Sequence, residues 1–175
     1  AIISTLKNPS IILGGLINSS MFISTYAIKA FLPIQLDEIG FNIIFIGFLF
    51  GLQEISNLIL NPILGKISDK IGHLNGVILG LILIATGVYL LTLEKNYTLL
   101  IFISLILGGG QAFITPSLTA LVANKINSHM MGTGMGTFGA IKNLGKVVGP
   151  IIGGNLQSRV GFIGSFRIIS VFTAI

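Results

Sequence analysis

Long apolar runs broken by short polar segments dominate this sequence. A helix that crosses a bilayer needs roughly 20 mostly apolar residues. The hydrophobic pattern predicts six such stretches, at 11–36, 42–64, 74–93, 98–123, 132–156 and from 160 onward. Between them, "DEIGFN", "GKISDKIGH", "EKNY", "NKINSHM" and "QSR" hold the turn and charge signals. Backbone groups in hydrocarbon must be satisfied internally, so the stretches are helices or strands of a closed barrel. Barrel strands alternate apolar and polar residues over about ten positions. Runs such as "GVILGLILIATGVYLLTL" do not alternate, and they read as helices.

Composition supports lipid as the solvent. The 175 residues are 53% hydrophobic and 9% charged, where a soluble domain has about 25% charged residues. Too few charges remain to coat a water-facing surface. The fold class is therefore an all-α membrane protein with six transmembrane helices. Absence of cysteine excludes disulfides, thiolate metal sites and a cysteine nucleophile. The net charge of +5 comes from scattered lysines and arginines with no basic cluster, so no nucleic-acid partner is expected. Lys7, Lys66, Lys70 and Lys125 fall on one side of the drawn helices, against Lys95 and Arg159 on the other. That bias predicts both ends of the chain to be cytoplasmic. The start at Ala1 and the end within "ISVFTAI" read as a piece of a longer chain, its last helix cut short. No signal-peptide pattern is evident.

In this topology "GKISDKIGHLN" lies in the cytoplasmic loop between the second and third helices. Gly65, Ser68, Asp69, Lys70 and Gly72 stand there at spacings that resemble the signature loop of the major facilitator superfamily. His73 and Leu74 occupy the positions where that pattern usually has two further basic residues. A second match lies in the fifth stretch. "GKVVGPIIGG" fits the Gly-x-x-x-Gly-Pro-x-x-Gly-Gly motif of the same superfamily through Gly145, Gly149, Pro150, Gly153 and Gly154. In the family this motif belongs to proton-driven drug antiporters. Gly145, Gly149 and Gly153 recur every four residues and would let a neighbouring backbone approach closely. Pro150 would bend its helix. In the loop, Gly65 and Gly72 would permit a tight turn, with Asp69 free to pair with a base or cap a helix.

The resemblance implies one six-helix half of a transporter over residues 1–175, built as a 3+3 inverted repeat. Its partners would be the missing half of the same chain, the lipid bilayer, a small-molecule substrate and protons. The family also implies a multi-pass protein of the plasma (cell inner) membrane. First halves usually have an arginine early in the fourth helix, and "LLIFISLILGGGQAFITPSLTALVA" has Gln111 but no arginine. That and the non-Met start favour the C-terminal half, while the antiporter-type motif favours the first.

Ionisable side chains within spans usually face a cavity or a partner. Lys29, Glu54, Lys142, Lys146 and Arg167 qualify. Lys142 and Lys146 share a face one turn apart. In one reading Glu54 binds and releases the coupling proton. In another the basic residues hold an anionic substrate. The structural alternative pairs Glu54 with Lys142 or Lys146, while Lys29 and Arg167 reach outward to the interface.

Other signals are declined. "GMGTFG" lacks a preceding strand and has no acid after it, so it is no dinucleotide site. His73 and His129 have no ligand-spaced partners, so neither metal nor cofactor is expected. The sequon at Asn96 abuts the membrane and reads as chance. No catalytic set is present, and an enzyme is not expected. The function expected is secondary active transport by alternating access, as proton-coupled efflux of a drug-like molecule. Uptake or exchange of an organic anion is the alternative, and a non-transporting scaffold or sensor is the alternative from another class.

Overall fold

A computed structural model describes residues 9–93 and 96–174. Lys7, Glu94 and Lys95, which bear on the charge bias and the outer loop, lie outside the described residues. The helices are α1 (Pro9–Glu38), α2 (Ile43–Ile71), α3 (His73–Leu90), α4 (Tyr97–Ala123) and α5 (Met131–Ala174), with a 3-10 turn at Ser128–Met130. No strand occurs among the described residues. Among the described residues four helices, α1 to α4, are long and apolar enough to cross a membrane.

Local chemistry explains two of the helix starts. The Asn42 side chain accepts a hydrogen bond from the Ile44 N–H at 2.8 Å and starts α2. Asn96 does the same for α4 through the Leu99 N–H at 2.7 Å. Both satisfy N–H groups that a helix start leaves without partners.

Two connections differ from the sequence expectation. "GKISDKIGH" is not an extended loop: α2 runs through it to Ile71, and α3 begins at His73. Gly72 alone makes the turn, at φ 93°, a region open chiefly to glycine. Nothing before it breaks a helix, since Gly65 is tolerated within one and "KISDKI" holds no proline. The stretches 132–156 and 160 onward both fall in α5, and "QSR" between them is helical. The backbone leaves helical geometry at Gly161 (φ 71°), not at Pro150. Gly145, Gly149 and Gly153 lie beside Ser19, Ile23 and Ala27, so this arm of α5 runs parallel to α1. Continued straight, it would put Thr173 about 30 Å beyond Gly153. Instead the Thr173 hydroxyl lies 2.5 Å from that of Ser24. The chain reverses at Gly161.

Without a hydrophobic drive between helices in lipid, small residues and polar contacts hold a bundle together. Here α5 lies chiefly on α1, and α4 sits between α2 and α3. A Cβ on Gly149 would stand 2.7 Å from the Ile23 carbonyl oxygen, and one on Gly153 would stand 3.0 Å from the Ala27 Cβ. On the other side, a Cβ on Gly80 would meet the Gly110 carbonyl at 2.8 Å. Ser170 donates to the Ala85 carbonyl at 2.8 Å, and Ser56 to the Leu105 carbonyl at 3.2 Å. Ile28, Ile84, Leu100, Ile103, Ile114 and Phe166 fill the space between.

Gly149→Ala should force α5 off the α1 backbone, at the cost of about 1–3 kcal/mol typical of overpacking. A detergent melting curve should fall by several degrees. Gly139→Ala, where a Cβ meets nothing within 4 Å, should leave it unchanged.

Candidate functional site

The glycine contact decides what stands next to it. With Gly145 against Ser19 and Gly149 against Ile23, Lys142 and Lys146 are carried alongside Phe22 and Tyr26 of α1. The Lys146 Nζ lies 4.9 Å from the centre of the Phe22 ring and 5.7 Å from that of Tyr26. Lys142 Nζ lies 5.9 Å from the Phe22 ring. The rings meet edge to face at 5.9 Å. Lys29, one turn along α1, places its Nζ 5.3 Å from the Tyr26 ring. Positions 22, 26 and 29 share one helix face. Tyr26 therefore links Lys29 to the lysines of α5.

Glu54 completes the cluster. Lys29 Nζ donates to its Oε1 at 2.5 Å. This corrects the structural alternative, in which Glu54 would pair with Lys142 or Lys146 while Lys29 reached outward. The reason is depth: Lys29 and Glu54 lie about 14 and 17 Å from the α1–α2 turn along their helices, nearly level across the hairpin. The pair is not sealed in the core, since the side chains are 27% and 52% exposed. A charged pair at membrane depth on an outer face must meet protein or a water-filled cavity rather than lipid. From Glu54 a cleft of about 560 Å³ runs along α2 past Asn57, Leu58, Asn61 and Pro62.

Two candidates stay apart from this face. Gln111 is buried between α4 and α1, its Nε2 donating to Thr25 Oγ1 over a long 3.5 Å. Arg167 is exposed on the arm after Gly161. The aromatic residues Phe22 and Tyr26 were missed in the sequence, although their spacing with Lys29 was a readable signal. Among the described residues no group of three or more metal-ligating side chains gathers.

The α2–α3 junction forms a second cluster. Ser68 is fully buried, with its Oγ 2.7 Å from Ser117 Oγ and 3.4 Å from His73 Nδ1. Asp69 Oδ1 lies 3.7 Å from the same His73 nitrogen, so the residue that departs from the family pattern is the one that faces the aspartate. Gly65 rests on Pro116, where a Cβ would sit at 3.5 Å. Lys70, in the last turn of α2, complements the negative end of the helix.

A model of the Major Facilitator Superfamily matches residues 14–175. The chain belongs to this superfamily. The uncharacterised MFS-type transporter MJ1560 of Methanocaldococcus jannaschii is 26% identical over 170 residues, covering 97% of the chain and 44% of the relative. Quinolone resistance protein NorA of Staphylococcus aureus is 30% identical over 123 residues, covering 70% of the chain and 32% of the relative. The chain thus spans less than half the length of these curated relatives. It is a multi-pass membrane protein of a transporter superfamily, a group whose members are generally not enzymes.

In this superfamily member, Gly76 packs where a Cβ would lie 2.5 Å from Ser68 Oγ and 2.6 Å from Ser117 Oγ. Gly76→Ala should part the serine pair and destabilise the protein by about 1–3 kcal/mol. Asp69→Asn, which breaks only an exposed contact, should cost less than about 1 kcal/mol. Melting curves of both variants in one detergent check the order.

Proposed function

We propose that the chain is half of a secondary transporter that works by alternating access and exports a drug-like compound in exchange for protons. The observation that supports this most is the Lys29–Glu54 pair on an outer face at membrane depth, beside Lys142 and Lys146. That face is where the missing half would sit, with the substrate path between the two. Glu54 is the exchangeable acid: held by Lys29 in one state, it is released to take a proton in the other. The name of NorA, a quinolone resistance protein, supports efflux. The reversal at Gly161 supports reading α5 as a fifth and a sixth span, hence a 3+3 half whose ends both face the cytoplasm. We place it in the plasma (cell inner) membrane and as the C-terminal half.

In this scheme the α2–α3 junction, with Gly65, Ser68, Asp69, Lys70 and Gly72, latches the cytoplasmic side against the other half. The ridge of Gly145, Gly149, Pro150, Gly153 and Gly154 keeps α5 on α1 as the halves rock. A second reading, transport of an organic anion, is favoured by the excess of lysines over acids on the face. A scaffold or sensor that kept the fold would show no gradient-dependent flux.

Everted vesicles containing the intact parent protein test the proposal. Dye and drug accumulation should collapse with a proton ionophore, and Glu54→Gln should reduce it to the ionophore level without loss of protein from the membrane. Wild-type accumulation that ignores the ionophore would sink proton coupling. Full activity in the glutamine variant would remove Glu54 from the path.

A further inference from the structure

Three cavities join end to end along one side of the α1–α5 contact. The outermost, about 290 Å³, lies beside Asn155 and Arg159 and is walled by Ile151, Ile152 and Leu156. Ile152 and Leu156 also line the next, about 240 Å³, which Ile23, Ile168, Ile169 and Phe172 close. Ile23 and Phe172 in turn border a third, about 450 Å³, that continues past Ser20 to Leu16. Together they form a channel with a polar mouth and apolar walls, held between α1 and the two arms of α5. It exists because the chain reverses at Gly161 and lays the second arm back beside α1, where Thr173 meets Ser24.

Water is a poor occupant of this channel. The middle cavity has only Ile, Leu and Phe side chains, and a buried water needs several polar partners. In the deepest cavity the Ser20 hydroxyl already donates to the Ile17 carbonyl at 2.8 Å. Hydrocarbon has no such requirement. Ile169 is buried in the back wall, while Ile168 and Phe172 are exposed at the rim, so the channel is open along one side.

The mouth supplies charge. Asn155 and Arg159 are exposed and stand one turn apart on one helix face. Arg167, exposed on the second arm directly before Ile168, has a long stem that can carry its charge back toward the same end. Among the described residues no carboxylate lies within ion-pair reach of either arginine. A guanidinium stays charged and fits phosphate oxygens with its fork of donors. Depth agrees as well. From Arg159 to Gly149, which stands on Ile23, is about 15 Å along the helix. One leaflet has about the same apolar depth, half of the roughly 30 Å of a bilayer core.

We propose that this channel is a site for an anionic phospholipid, its phosphate on Arg159 and Asn155 and one acyl chain between α1 and the second arm of α5. The chain fills a space that the helices leave open, and the headgroup ties the two arms together near their turn. Lys142 and Lys146 lie over Phe22 and Tyr26, on the other side of the α1–α5 contact from Ser20. The lipid site is therefore separate from the face assigned to transport. The inference rests on reading α5 as a fifth and a sixth span, and on nothing about substrate or coupling.

The test uses the intact protein in phosphatidylcholine vesicles with phosphatidylglycerol as the anionic lipid. The 175 residues contain no tryptophan, so Phe172→Trp gives the channel an indole of its own, and the unsubstituted protein supplies the background. Lipids with brominated acyl chains quench an indole that they touch. Brominated phosphatidylglycerol should occupy the site about fivefold more readily than brominated phosphatidylcholine, the scale of one basic residue acting on an anionic lipid. Arg159→Gln should remove most of that preference, and Arg159→Lys should keep it. Ile152→Phe, which fills the channel without changing its charge, should reduce quenching by both lipids. Native mass spectrometry of the wild type should show phosphatidylglycerol retained in preference to phosphatidylcholine, a comparison that needs no variant to fold.

Equal quenching by the two brominated lipids, or equal retention of the two on the wild type, would overturn the proposal. Relief of quenching by free glycerol 3-phosphate would overturn it too, by making the mouth a site for a soluble anion. An indole that neither lipid reaches and that aqueous iodide does not reach either would mean that protein covers the channel, and the lipid site falls. An indole open to aqueous iodide would sink the proposal together with the reading of α5 as two spans, which no other outcome touches.

Discussion

The contact of the α5 glycines with the α1 backbone is the constraint on which the rest of this structure depends. Lipid does not push apolar helices together as water does, so close approach must come from the absence of side chains. Gly145, Gly149 and Gly153 leave α5 lying on Ser19, Ile23 and Ala27. That seating brings Lys142 and Lys146, which flank the ridge, over Phe22 and Tyr26. Separated by an ordinary side-chain layer, the helices would hold the lysines several ångströms farther from the rings. The same packing that stabilises the bundle therefore assembles the face.

The interior solves a second problem, that of polar groups away from water. Most buried hydroxyls satisfy themselves on their own helix. Thr25 donates to the Met21 carbonyl at 2.9 Å and Ser104 to the Leu100 carbonyl at 3.0 Å. A few also reach across, as Ser24 does to Thr173, Ser68 to Ser117 and Ser170 to the Ala85 carbonyl. These cross-links fall where glycines or small residues already let the helices close. The charged groups follow the opposite rule. Lys29, Glu54, Lys142 and Lys146 gather on an outer face of the bundle.

Some differences between sequence and structure have simple causes. The segment after Leu64 looked like a loop because it is charged, yet charge does not end a helix, and α2 continued until Gly72. "QSR" misled in the same way, and Gly161 made the reversal two residues later. Lys29 was expected to reach outward because a lone lysine near a helix end usually does. Its true partner was decided by the level of Glu54 across the hairpin. Phe22 and Tyr26 passed as ordinary apolar residues until the lysines of α5 were placed over them.

By itself the sequence determined the solvent, the helical class and the family. Those follow from composition, from run length and from two short motifs, and each is a property of consecutive residues. A backbone in hydrocarbon has few ways to satisfy its hydrogen bonds, so an apolar run of this length leaves little choice. Only the tertiary structure decided that Glu54 pairs with Lys29, that Gln111 turns inward to Thr25, and that the α5 lysines meet aromatic rings. Each depends on the depth and rotation of one helix against another. Those are set by where glycines permit contact, which no single helix records.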